Sequence, residues 1–357
     1  MRDMLKKKMS KNTRSNLITY GIVIVAFIVM QTLISTGSIS SLMEGLMIPL
    51  CIYIILAVSL NLVVGILGEL SLGHAGFMCA GAFASAFFSK CMRDVITIAP
   101  LRFFLALLIG VAVAAVFGII IGIPVLRLKG DYLAIVTLAF GEIIKNLVNV
   151  LFIGKDSNGF HFSTKDVMDL NMEEDGTVIV NGPQGITGTP QDSTFVIGVI
   201  LILITLFIVI NMVNSRDGRA IMAIRDNRIA AESVGINVTK YKLMAFTVSA
   251  ALAGAAGVLY AHNLSTLTAN TNNFGYNMSI NILVFVVLGG IGSIRGSMIA
   301  AVVLTLLPEL LRGLSDYRML IYAIVLIIMM LFNWSPKAIE WREKYLSFGK
   351  KKKEAVK

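Results

Sequence analysis

An all-α, polytopic membrane fold of about ten transmembrane segments is what this sequence predicts, and three observations carry the prediction. Hydrophobic residues fill 56% of the 357 positions and charged residues only 15%, against about 25% charged in soluble domains. Mean hydropathy is +0.81. The apolar residues recur in blocks near the roughly 20 residues that a helix needs to cross the hydrocarbon core. A net charge of +10 would suggest nucleic acid in a soluble protein. Here the cations cluster at span ends and tails with little aromatic interleaving, which fits topology and anionic lipid and excludes nucleic acid.

In chain order the basic start (1–16, with Lys6, Lys7, Lys8, Lys11 and Arg14) precedes a first apolar run to about Ile34. No small-residue cleavage pattern ends that run, so it reads as a retained anchor. Further spans are expected over 46–67, 75–89, 101–126 and 132–153. The third is short and built of small residues (Gly76, Ala80, Gly81, Ala82, Ala84, Ser85, Ala86). The fourth carries Gly118 and Gly122, a pair that permits close helix approach. The first bundle (17–153) gives way to an acidic, turn-rich segment over 154–194. A second bundle over 195–335 has spans at 195–213, 243–261, 278–288, 297–311 and 319–334. The eighth is short, so crossing fully and re-entering both fit it, as they fit the third. A basic tail occupies 336–357.

The longest polar interruption of the second bundle is Ser215–Lys242, with Arg216, Arg219, Arg225, Arg228, Lys240 and Lys242. Its interior lacks Pro, is rich in Ala and Ile, and reads as one or two short helices. With both termini inside, the positive-inside bias puts Arg127, Lys129, this loop, Arg295 and the terminal lysines in the cytoplasm and the acidic segment outside. Lys90, Arg93, Arg102, Arg312 and Arg318 run against the bias, and Asp94 and Asp316 are placed to balance them in part.

Two stretches echo each other. Asn61-Leu62-Val63 leads through glycines to Ser71 and a small-residue helix; Asn281-Ile282-Leu283 leads through Gly289, Gly290 and Gly292 to Ser293 and another. Paired Gly-interrupted segments point to a pathway at a repeat interface, and two ordinary turns fit equally. Asn61, Ser71 and His74 form one polar group, readable as a pathway or as a helix start capped by Ser71. Glu142, Lys145 and Asn146 form another, spaced to share a face. An isolated charge at that depth costs about 2.5–3.5 kcal/mol; mutual neutralisation of Glu142 and Lys145 or a hydrated pathway would account for them.

Catalysis is not expected. The chain has no P-loop, no HExxH and no GxSxG, and Gly290-Ile291-Gly292 lacks a dinucleotide-binding context. Cys51, Cys79 and Cys91 read as small hydrophobes, neither a disulfide frame nor a metal site. Three scattered histidines make no ligand cluster.

Five blocks in order carry a resemblance: Leu60–Gly65 through Glu69–Phe77, Gly130–Ile143, Gly182–Ile186, Arg219–Asn227 with Ala230–Ile236, and Leu288–Gly296. Together they resemble the permease subunits of branched-chain amino acid ABC importers, on the LivM side of the LivH/LivM pair, over roughly 45–335. The resemblance implies a LivH-like second permease, two P-loop ATPase subunits carrying ATP and Mg, an extracytoplasmic solute-binding protein, and a bacterial plasma membrane. It implies that no cofactor binds this chain. It makes Arg219, Arg225, Ala230, Ala231, Glu232 and Gly235 the coupling segment to the ATPase, although the order Ala-Ala-Glu, with no Leu-Pro following, departs from the general importer signature. Asn61, Ser71, His74, Glu142 and Asn146 are the candidate translocation residues. An ion-coupled secondary transporter or a channel is the alternative class, and urea or another small polar solute the alternative cargo.

Overall fold

The computed structural model describes residues 11–126, 128, 130–173, 176–311 and 317–334. The expectations for Arg127, Lys129, Arg312, Asp316, the lysines before residue 11 and the tail after 334 lie outside them. The helices are α1 (Lys11–Ser35), α2 (Ser41–Asn61), α3 (His74–Cys91), α4 (Ala99–Val125), α5 (Asp131–Val150), α6 (Phe195–Asn214), α7 (Arg216–Asp226), α8 (Arg228–Ser233), α9 (Val238–Ala261), α10 (Thr271–Phe274), α11 (Tyr276–Gly289), α12 (Ile294–Leu310) and α13 (Arg318–Trp334). Every expected span is therefore helical. Among the described residues, six helices have the length and apolarity of a crossing: Asn16–Ser35, Ser41–Leu67, Ala99–Val125, Tyr132–Val150, Phe195–Asn214 and Val238–Ala261. The others, α3, α11, α12 and α13, have 18, 14, 17 and 17 residues. At 1.5 Å per residue, α11 reaches only about 21 Å.

The core forms where α2, α3, α4 and α9 meet. Small residues set how closely they pack. A Cβ on Gly81 of α3 would lie 2.6 Å from the Cα of Gly254 in α9, and one on Gly110 of α4 would lie 2.8 Å from the Gly81 carbonyl. Gly118 and Gly122, the pair singled out in the sequence, bring α4 against α9, where an added Cβ would lie 2.7 Å from Ala250 Cβ and from Leu243 Cδ1 respectively. Backbones this close gain dispersion contacts over their whole length, which is what associates helices in lipid. Phe77 and Phe246 fill the junction edge to face, with ring centroids 5.4 Å apart. α1 stands outside this core, with Leu17, Val25 and Ile28 exposed.

The segment over 154–194 departs from the turn-rich loop expected. β1 (Phe152–Asp156), β2 (Gly159–Ser163) and β3 (Thr177–Asn181) make an antiparallel sheet in the order β2-β1-β3, and short β4 (Ile186–Thr187) pairs with β5 (Thr266–Leu267), after α9. The fifth span accordingly ends at Val150, and Phe152 and Ile153 belong to β1. Acidic composition hid the alternation in Phe160-His161-Phe162 and the β-branched run Thr177-Val178-Ile179-Val180, both of which the strand pairing accommodates. α6, about 30 Å long, separates this sheet from α7.

Two cations that broke the positive-inside pattern are bound here. Lys90 donates to the carbonyls of Val178 (3.0 Å) and Ile179 (3.3 Å) in β3. Arg102 grips Asp192 through Nη2 and Nε, with a closest approach of 2.7 Å. The residue that balances Arg102 is thus Asp192, not Asp94, which is exposed. Tertiary neutralisation, invisible to a rule that counts charges along the chain, is the physical reason.

Asp156 turns the β1–β2 hairpin, accepting from the amides of Asn158 (2.8 Å) and Gly159 (3.1 Å) and pairing with His161 Nε2 at 2.9 Å. Desolvation pushes its carboxyl up, but hydrogen bonds from the Asn158 and Glu173 amides and from His161 outweigh that and hold it below the ordinary 3.8. A depressed native pKa stabilises the hairpin fully above the ordinary value, and the stabilisation is lost as pH falls through the native one. Hydrogen-exchange protection of β1 and β2 amides, corrected for intrinsic rates, is therefore expected to drop progressively as the pH is lowered below 3.8. Asp156→Asn should flatten that dependence; an equally steep loss in the variant would refute the role.

Candidate functional site

Local chemistry explains how the Ser215–Lys242 loop folds. The Ser215 hydroxyl accepts from Gly218 N–H (3.1 Å) to start α7, Asn227 from Ala230 N–H (3.0 Å) to start α8, and Asn237 from Lys240 N–H (3.0 Å) to start α9. Three side-chain caps in 23 residues, each worth about 1 kcal/mol, make a jointed two-helix unit. Gly235 ends α8 with φ +83°, a conformation that glycine adopts without Cβ strain. Ile224, Ala231 and Val238 bury into a small core of their own.

The six expected coupling residues all lie in this unit but face different ways. Ala231 is buried and serves the unit's core. Ala230, Glu232 and Gly235 are exposed, Glu232 pairing with Arg228 at 2.9 Å. Arg219 donates to the Asn214 carbonyl at 3.3 Å. Arg225 turns back onto the membrane helices. Its Nη1 donates to the Gly65 carbonyl at 3.1 Å, while Nε and Nη2 hold Asp226 at 3.1 and 3.0 Å. Ile229 and Val234 project outward, 79% and 75% exposed.

The receiving end is a helix break. After Asn61, α2 widens into a π-helical turn over Leu62–Leu67 and stops at Gly68, φ +80°; such turns are rare and recur at functional sites. The chain resumes as α3 at His74. On one side, the Arg225 stem lies against Gly68, where a Cβ would come 2.5 Å from its Cγ. Glu69 forms an ion pair with Lys242, near the start of α9. On the other side, Gly65 abuts Gly292 in the turn between α11 and α12, so that a Cβ on Gly65 would lie 2.6 Å from the Gly292 Cα. The Asn61 side chain locks this contact, accepting from Gly292 N–H (2.9 Å) and donating to Ser297 Oγ (3.2 Å). The two echoing stretches of the sequence thus touch at their breaks.

Of the other pathway candidates, His74 is buried, with Nε2 2.7 Å from Ser59 Oγ. Ser71 does not cap α3: Gly73 holds the N-cap position without a side-chain bond, and the buried Ser71 hydroxyl has no hydrogen-bond partner among the described residues. The capped-start reading is corrected accordingly, since the break runs two residues further than the serine implied. Ala75 N–H instead finds Ser279 Oγ in α11 at 3.2 Å. Glu142 and Lys145 do pair, at 2.5 Å. Lys145 also reaches Thr271 Oγ1 (3.2 Å), and Glu142 accepts from Tyr276 N–H (2.8 Å), where α11 begins. Asn146 is exposed on α5 and stands apart from that network. The Arg225–Gly65, Lys242–Glu69 and Asn61–Ser297 contacts were not foreseen. They span 160, 173 and 236 residues of sequence, and no local pattern encodes them.

Repeated apolar helices, a pair of apposed helix breaks and a capped polar unit clamped onto one of them describe a multi-pass helical membrane protein. Residues 42–332 match the family model for the branched-chain amino acid transport system permease component, and the chain belongs to that family. It is 36% identical over 297 residues to the high-affinity branched-chain amino acid transport permease LivM of Salmonella typhimurium, covering 81% of this chain and 67% of that protein. The Escherichia coli K12 LivM is 35% identical over the same length. The ribose import permease RbsC of Escherichia coli K12 is 28% identical over 292 residues, 78% of this chain and 81% of the relative. No solved structure matches the chain.

Proposed function

We propose that this chain is a transmembrane subunit of an ATP-driven ABC importer that moves branched-chain amino acids into the cytoplasm, paired with a LivH-like second permease. Two P-loop ATPases engage the α7–α8 unit from the cytoplasm, and an extracytoplasmic solute-binding protein delivers the cargo. ATP and Mg belong to the ATPases, and this chain needs no cofactor. Ten crossings with both termini cytoplasmic, in two bundles (17–153 and 195–335), put the sheet outside and the basic loop inside. Asn61, Ser71, His74, Glu142 and Asn146 are assigned to the translocation route, and Arg219, Arg225, Ala230, Ala231, Glu232 and Gly235 to coupling.

The observation that carries this reading is the pair Ile229 and Val234, apolar and exposed on a folded unit whose inner side is already packed. Burying one such side chain in an interface is worth about 1.5–3 kcal/mol. Ile229→Asp is expected to reduce co-purification of the co-expressed ATPase subunits by about tenfold or more. Yield and monodispersity of the permease itself should hold, because the side chain contacts solvent in the isolated chain. Undiminished ATPase capture by the variant would sink the docking assignment.

A further inference from the structure

The geometry points to Arg225 as the residue that carries movement of the α7–α8 unit into the helix breaks, a positioning role distinct from docking. This inference rests on the docking reading above. The guanidinium is fixed on one side by Asp226 and on the other by the Gly65 carbonyl. That carbonyl belongs to the π-turn that precedes the Gly68 break. Gly65 in turn lies flush on the backbone of Gly292, itself held by Asn61. One residue's thickness separates a loop of the second half from the break of the first and the break of the second. The Glu69–Lys242 pair grips the same break from the far end of the loop.

Because α7 ends at Asp226 and α8 starts at Arg228, a displacement of α8 levers on the joint at Asn227, two residues after Arg225. A rigid guanidinium bonded to a backbone carbonyl passes that displacement to the chain itself. A contact with a mobile side chain would absorb it. Glycines at 65, 68 and 292 let the two backbones and the Arg225 stem come into direct contact, and φ values of +80° and +82° at Gly68 and Gly292 mark the joints. Switching elements of this kind act as rigid-body movements about a few terminal residues.

The test uses the complete importer, with the ATPase subunits and second permease co-expressed, reconstituted in proteoliposomes with leucine as the probe. Arg225→Ala is expected to keep ATPase co-purification and ATP hydrolysis while leucine taken up per ATP hydrolysed falls by at least about tenfold, the worth of one charge-assisted hydrogen bond. Arg225→Lys, which keeps a cationic donor within reach of the Gly65 carbonyl, should recover part of that ratio. An unchanged ratio in Arg225→Ala overturns the inference, and so does Arg225→Lys behaving no better than alanine. Where alanine lowers assembly, Arg225→Gln replaces it, judged on the same ratio. Ile229→Asp, run alongside, separates the two ideas: normal ATPase capture there defeats the docking reading, whereas a normal uptake ratio in Arg225→Ala with capture lost in Ile229→Asp defeats only the transmission role.

Discussion

Asp192→Ala is expected to destabilise the folded chain by about 3–5 kcal/mol, the cost of breaking a buried pair from one side. Arg102 and Asp192 share three contacts, at 2.7, 3.0 and 3.1 Å, with side chains only 8% and 12% exposed. Removal of the carboxylate strands a guanidinium with one remaining acceptor among the described residues, the Ile96 carbonyl at 3.3 Å. Its desolvation is then uncompensated, and Coulomb attraction no longer offsets it. The double variant Arg102→Leu with Asp192→Leu should recover most of the loss, since apolar pairs of similar volume replace buried ion pairs at little net cost. Urea unfolding in detergent micelles reads both. A single variant as stable as the parent, or a double variant worse than the single, would show that the pair does not hold α4 to the segment before α6.

Gly65→Ala is the second large effect. Helix propensity alone favours alanine by up to about 1 kcal/mol. Here the added methyl meets the Gly292 Cα at 2.6 Å. That neighbour is backbone and cannot swing aside, so overpacking of about 1–3 kcal/mol wins. The expected result is a lowered unfolding midpoint together with loss of leucine uptake, because the two breaks are forced apart where Asn61 and Arg225 hold them. Gly45→Ala, with nothing within 4 Å of its added Cβ, is the control and should gain or hold stability. If Gly65→Ala transports as the parent does, the apposed breaks are not part of the working mechanism.

The sequence and the structure divide along a physical line. Apolar blocks, the Gly118–Gly122 spacing and the Pro-free, Ala- and Ile-rich interior of the polar loop were legible because each is a pattern of near neighbours, whereas the caps at Ser215, Asn227 and Asn237 came from the structure. Helices, their approximate ends and the jointed loop followed from them. The sheet escaped notice because its three strands are only five residues each and the acidic residues of the loops between and after them, Asp166, Asp169, Glu173 and Asp192, dominated any composition count. In the candidate site Asn61 and Arg225 were named from the sequence, but the partners that the structure gives them, Gly292 and Gly65, were not. Ser71 looked like a cap because a serine near a helix start usually is one; the extra turn of break before His74 put it out of reach. Asn146 looked like a companion of Glu142 by spacing, yet Tyr276 and Thr271, far along the chain, are what complete that network.

Sequence by itself determined that this is a membrane-embedded helical chain of the branched-chain amino acid permease family with one folded polar loop. Hydrophobic transfer and local capping are set by residue type and near neighbours, so they can be read in one dimension. Only the tertiary structure decided that Arg225 turns inward to the Gly65 carbonyl, that Glu69 meets Lys242, and that Arg102 is neutralised by Asp192. Each of these joins groups 90 or more residues apart, and the energy of an ion pair or a backbone contact depends on distance in space, which the order of residues does not contain.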